Sequence, residues 1–205
     1  MVTPLLDSVN CSRETRPMVE IGDTRARLLA AARRELTEHA VSGISLRAIA
    51  RRAEVSHAAP KYFFGDRAGL LTAVATEGFE ELTRHLEETA GRTGPRLGTL
   101  GRAYIDFGLR EPELFDLMFR PAELHPDDAA LREAQTASLR LLTSAVTPDS
   151  PSPSSAVPTL TLISWAFAHG VVALLREGAL QSVDSAGDID ALTDQLVATF
   201  ERALG

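Results

Sequence analysis

Apolar residues recur along this chain at helical spacing, and no stretch shows the sustained alternation of a strand. Thr24 stands where an N-cap is wanted, and Leu28, Leu29, Ala32 and Leu36 follow as one stripe of a helix ending near Ala40. Ser45 is the next cap, followed by Leu46, Ile49, Ala50 and Ala53 on a short apolar stripe. Glu54-Val55-Ser56 leaves room only for a turn. Ser56 then reads as the cap of a second short helix, with His57, Ala58, Lys61 and Tyr62 off its packing positions. Two short helices joined by three residues form a helix-turn-helix pattern, whose second helix can enter a DNA major groove.

From Arg67 a long helix is expected to about Thr89, with Leu70, Leu71, Val74, Leu82 and Leu86 facing inward. Three glycines and Pro95 between Gly91 and Gly98 place a domain joint there. At least five further helical segments follow: Arg96 to Glu111, one opened by Pro112, one opened by Asp127 or Asp128, one opened by Pro158, and a last one over 188–204 with Ile189, Leu192, Leu196, Phe200 and Ala203 on one stripe. Arg120 to Pro126 reads as a loop. Pro148 to Pro158 holds four prolines and four serines, a surface linker. The fold class is therefore all-α: a three-helix DNA-binding head over 22–75, joined by a long helix to a helical body over 76–205, behind a flexible tail over 1–21.

Charge changes the picture more than composition does. The net charge of −7 argues against nucleic acid, but residues 22–75 carry nine basic and five acidic side chains, and residues 76–205 carry ten and twenty. A basic head on an acidic body fits a DNA-binding module attached to something else. The single cysteine, Cys11, makes neither an internal disulfide nor a cysteine-based metal site, and it fits a reducing cytoplasm. No signal peptide is evident. The apolar run from Leu160 to Leu175 contains His169 and reads as a buried helix short of a membrane span, so no membrane partner is expected.

The stretch from Thr24 to Ala75 resembles the DNA-binding domain of TetR-type (tetracycline-repressor-like) transcriptional regulators. YIDFGLREPELFDLMF followed by WAFAHGVVALL resembles the subgroup with a Trp…His-Gly signature in the effector domain, here Trp165, His169 and Gly170. The resemblance implies a ligand-responsive regulator, a repressor that releases a palindromic operator when a small apolar effector binds. It also implies a homodimer paired through the last two helices, about 158–181 and 188–204, in the bacterial cytoplasm and on the nucleoid when bound to its operator. Two positions depart from the family pattern. Glu54 stands where glycine is usual, at a cost of about 1 kcal/mol for a left-handed residue. Lys61-Tyr62-Phe63-Phe64 stands where a Tyr-x-His-Phe run is usual, putting a full charge where a tyrosine normally meets phosphate.

The expected DNA-binding residues are Thr24, Arg25, Ser45, Arg47, Ser56, His57, Ala58, Lys61, Tyr62 and Arg67. His57 and Ala58 lead the second helix, where an imidazole can hydrogen-bond base edges and an alanine methyl can touch thymine. Arg47 and Arg67 flank the same face as phosphate clamps. Arg25 and Arg27 would lie in a first turn where cations oppose the helix dipole, so an external anion explains them better than solvent. Tyr104, Phe107, Phe115, Met118, Phe119, Trp165 and His169 are the expected effector-pocket residues as a set, although the large apolar ones taken singly fit a plain core better. His169 lacks the partners for a metal site, and Gly170 would permit close helix approach. No metal, cofactor or catalytic residue is expected. The rival readings are a helical protein-interaction module without DNA binding and an all-α enzyme; scattered histidines and the lack of a phosphate-binding glycine loop argue against the enzyme.

Overall fold

The computed structural model describes residues 18–146, 157–180 and 188–204, with side chains from residue 22 onward. The described residues form helices and connecting turns, with no strand among them: α1 (Met18–Glu38), α2 (Leu46–Arg52), α3 (Ala59–Phe64), α4 (Arg67–Thr93), α5 (Leu97–Arg110), α6 (Pro112–Met118), α7 (Ala129–Val146), α8 (Thr159–Arg176) and α9 (Ile189–Leu204). Single 3-10 turns stand at Val41–Gly43 and Pro121–Glu123, the second inside the stretch expected to be loop. The linker expected over 148–158 lies outside the described residues except for its last two.

Several boundaries move. α1 starts at Met18, six residues before Thr24, so Thr24 is a half-buried position inside the helix and not its cap. α3 starts at Ala59, with Ala58 at its cap position and no side-chain cap. The Ser56 carbonyl accepts from the Ala59 amide in the preceding turn at 3.0 Å. Pro60 fixes the cause: its locked φ and missing N–H suit a first turn, so the helix begins beside it and not at the serine. Ser45 does cap α2, accepting from the Ala48 amide at 3.2 Å. Glu54 sits at φ 53°, the left-handed conformation the turn requires.

α1, α2 and α3 pack around Leu28, Leu36, Ile49 and Ala53, and α4 continues that core into the body through Leu70, Val74, Leu82 and Leu86. Between Gly91 and Gly98 the helix persists to Thr93, and Gly94 at φ 80° makes the turn into α5. α7 lies along α4, and α8 crosses α5. Gly108 permits that crossing: a Cβ there would stand 2.7 Å from Val172 Cγ1. Gly170, expected in this role, has nothing within 4 Å of its Cβ position. α8 also corrects the membrane estimate, because its 18 residues with mean hydropathy 1.4 are long and apolar enough to cross a bilayer by length and composition. One histidine in a run so rich in leucine and valine does not lower the mean enough. Its Ala168, Val171, Val172 and Leu175 nevertheless join the protein core.

Candidate DNA-binding face and effector cavity

The nine basic residues of the head divide by what they touch. Arg27 donates to the carbonyls of Ala53 and Glu54 and thereby closes the end of α2. Arg33 pairs bidentately with Glu81 on α4, which raises its pKa. Arg52 donates to Glu35 and to Glu38, each at 2.7 Å. Glu35, Glu38 and His39 are the one set of ligand atoms among the described residues close enough for a metal ion, and Arg52 already takes both carboxylates.

Arg67 does not stand as a phosphate clamp. Its guanidinium donates to the Val41 carbonyl, to the Ile44 carbonyl at 3.1 Å and to Glu123 at 2.7 Å, so its donors bind the head to the body. Arg25 and Arg27 lie beyond the first turn of α1, away from the positive end of the helix dipole that would oppose them, and Arg25 lies over the Phe64 ring at 5.5 Å.

Arg34 is exposed on α1 with no ion-pair partner among the described residues, and a further exposed group lies on the helix-turn-helix. Arg47 and Arg51 on α2 and Lys61 on α3 have no ion-pair partner among the described residues. His57, Ala58 and Ser56 are exposed in the turn leading into α3, and Ser45 is exposed at the start of α2. Tyr62 is 78% exposed, with its ring edge-on to Phe63 at 5.1 Å. An exposed aromatic on a helix whose Phe63 and Phe64 turn inward costs hydration unless something covers it.

In the body, α4, α5, α7, α8 and α9 enclose a cavity of about 290 Å³. It stays open because Gly98 and Gly101 on α5 and Ser164 and Ala168 on α8 put small side chains where the helices face one another. Of the expected pocket residues, Tyr104, Phe119 and Trp165 line it. Phe115 and Met118 are buried in the core beside it, Phe107 borders a separate polar crevice with Arg84 and His85, and His169 stands behind the wall.

The wall is held by a short hydrogen-bond chain. Trp165 Nε1 donates to the Tyr104 hydroxyl at 3.0 Å, and that hydroxyl lies 3.0 Å from His169 Nδ1. Burial pushes the His169 pKa down and the Tyr104 pKa up, so both stay neutral, and the tyrosine O–H donates to the unprotonated imidazole Nδ1. Tyr104→Phe strands the indole N–H and the imidazole nitrogen, and is expected to cost about 1–3 kcal/mol. A thermal melt reads this as a lower Tm, by about 2–4 °C per kcal/mol for a chain of this size.

Aromatic residues alone were a poor guide to the rest of the lining. Gln135, Ser138, Leu139 and Leu142 present an i, i+3, i+4, i+7 stripe of α7 to the cavity, and Val197 and Phe200 close it from α9. The signal available in the sequence was Gln135 and Ser138 interrupting an otherwise apolar stripe.

Two family models match the chain: "Bacterial regulatory proteins, tetR family" over residues 28–74 and "Tetracyclin repressor-like, C-terminal domain" over residues 97–200. Among solved structures, a protein of unknown function from Rhodococcus sp. RHA1 is 32% identical, over 88% of this chain and 93% of that one, with TM-score 0.69. A TetR family transcription regulator from Marinobacter aquaeolei VT8 is 20% identical over 90% and 97%, with TM-score 0.64. The multidrug binding protein EbrR, solved with imidazole, is 18% identical over 85% and 88%, with TM-score 0.57. At those two identities the likeness concerns the fold. No curated protein matches the chain. With a matched DNA-binding head and a matched C-terminal domain over half its length, the chain belongs to the TetR family of bacterial regulatory proteins, transcription regulators that bind DNA.

Proposed function

We propose that this regulator is a cytoplasmic repressor that holds a two-fold symmetric operator as a homodimer and releases it when a small apolar effector enters the body cavity. Residues 22–75 read the DNA and residues 76–205 bind the effector and the second subunit. The activity is binding, not catalysis. The observation that carries the reading is the division of the basic residues: Arg27, Arg33, Arg52 and Arg67 are spent on internal acceptors, whereas three of the cations left without an ion pair, Arg47, Arg51 and Lys61, lie together on the two helices of the helix-turn-helix. His57 and Ala58 meet base edges, while Arg47, Lys61 and Tyr62 meet the backbone, Lys61 taking the place where the family pattern has tyrosine.

The dimer rests on α8. Leu162, Ala166, Gly170 and Leu174 are four residues apart and form an outward stripe, with Leu162 44% and Leu174 43% exposed. The open space at Gly170 lets a partner helix approach closely there, which returns the glycine to its expected use across the dimer. The Trp…His-Gly signature then has two functions: Trp165 and His169 hold the cavity wall, and Gly170 faces the partner.

Effector binding shifts the spacing of the two heads through α4, which lines the cavity with Phe79, Leu82 and Leu86 and reaches the head at Arg67. A mobility-shift titration over a range of salt tests the DNA face. Arg47→Ala and Lys61→Ala are each expected to weaken binding and to lower the slope of log K against log salt by about 0.9. Unchanged slopes in both variants would move the DNA face elsewhere.

A further inference from the structure

The cavity contains apolar surface and very little else, and the few polar groups differ in what they have left to offer. Ser138 Oγ donates to the Gln135 carbonyl at 2.9 Å, and Ser164 Oγ donates to the Leu160 carbonyl at 2.8 Å, so both serine protons are committed to their own helices. The Tyr104 hydroxyl accepts from Trp165 and faces His169, and has no donor to spare. The Gln135 side-chain amide has no hydrogen-bond partner among the described residues, and it can both donate and accept.

No carboxylate, ammonium or guanidinium lines the space. The start of α5 does line it, through Leu97 and Gly98, and a helix start would ordinarily attract an anion. That place is taken. The Glu201 carboxylate from α9 accepts from the Gly98 amide at 3.2 Å, and a Cβ on Gly98 would stand 2.6 Å from it. The Gly98 amide is therefore already satisfied and offers an anionic ligand no donor, and a cation would likewise be desolvated without a partner among the lining residues.

We infer that the effector is an uncharged molecule, mostly apolar and of roughly ten non-hydrogen atoms at the ~30 Å³ a water-sized group occupies, and that Gln135 is the specificity residue that recognises its single hydroxyl, carbonyl or amide group. This rests on the cavity being the effector site. It adds the charge state of the ligand, its one polar group and the side chain that selects it.

Trp165 is the only tryptophan in the chain and lines the cavity, so its fluorescence reports occupancy without DNA. Four probes share one carbon skeleton: phenylbutanol, phenylbutyrate, phenylbutylammonium and butylbenzene. On the unaltered protein the alcohol is expected to bind at least about 30-fold more tightly than either ion. Gln135→Leu, which keeps the volume and loses the amide, should weaken the alcohol by about tenfold, or 1.4 kcal/mol, while butylbenzene binds unchanged or more tightly. Gln135→Glu should separate the ions, so that phenylbutylammonium gains affinity relative to the unaltered protein and binds more tightly than phenylbutyrate.

Ions that bind as well as the alcohol, or a Gln135→Leu variant that loses alcohol and butylbenzene equally, would overturn the inference and leave the cavity as the effector site. If none of the four probes changes Trp165 emission, the effector-site reading fails and this inference falls with it.

Discussion

A chain carrying Leu162→Glu, Ile163→Glu and Leu174→Glu is expected to elute as a monomer and to bind operator DNA about 10²–10⁴-fold more weakly than the unaltered protein, if the proposed dimer forms through α8. The three side chains are 44%, 49% and 43% exposed on α8, and none of them is part of the buried core. Six carboxylates facing one another across a two-fold axis cannot be buried without partners, and the self-complementary contact is lost. The folded subunit keeps Val171, Val172 and Leu175 against its own core, so its helical content and melting should change little. A monomer still presents one α3 to one half-site. What disappears is the second, intramolecular binding event, and that loss accounts for the factor. Sedimentation and a mobility-shift assay on the same sample separate the two effects. A triple variant that remains a dimer would place the interface on another surface.

Gly69→Ala and Gly91→Ala make the same chemical change on the same helix and are expected to act in opposite directions. Gly69 lies in the first turn of α4, where its amide donates to the Asp66 cap at 2.8 Å. A Cβ there would collide with the backbone carbonyl oxygen of Phe64, the last residue of α3, and a peptide oxygen cannot rotate aside as a side chain can. The chain must shift between α3 and α4, at a cost of about 2–4 kcal/mol, comparable with other severe overpacking and backbone strain. Because the shift falls between the reading helix and the long helix, operator affinity should fall as well. Gly91 has nothing within 4 Å of its Cβ position, so alanine there gains helix propensity and lowers the entropy of the unfolded chain, a stabilisation of about 0.4–1 kcal/mol. Thermal melts of both variants test the pair. A Gly69→Ala protein as stable as its parent would mean that the α3–α4 junction yields more easily than its geometry indicates.

The sequence was a sound guide wherever a residue's role depends on its neighbours along the chain. Leu28, Leu29, Ala32 and Leu36, then Leu46, Ile49, Ala50 and Ala53, announced the packed faces of α1 and α2 because helical periodicity is local. The opening of α7 was legible for the same reason to within one residue, at Asp127 or Asp128; the structure selects Asp128, which accepts from the Leu131 amide at 3.0 Å. Caps were less secure. Ser56 has the right chemistry, but Pro60 moved the helix start past it.

Long-range partners were not legible. Nothing in the spacing of Arg67 distinguishes it from Arg47, yet Arg67 is taken by Val41, Ile44 and Glu123, from 26 residues before it to 56 after, and Arg47 is free. A side chain's availability for DNA depends on which acceptors the fold brings within 3 Å of it, and those acceptors are distant in sequence. The cavity follows the same rule, since a void forms only where small residues on separate helices meet. By itself the sequence determined the helices, the helix-turn-helix and the basic head on an acidic body. Only the tertiary structure decided which arginines remain for a phosphate, that Gln135 faces an open space, and that Gly108, not Gly170, lets α5 and α8 touch within one subunit.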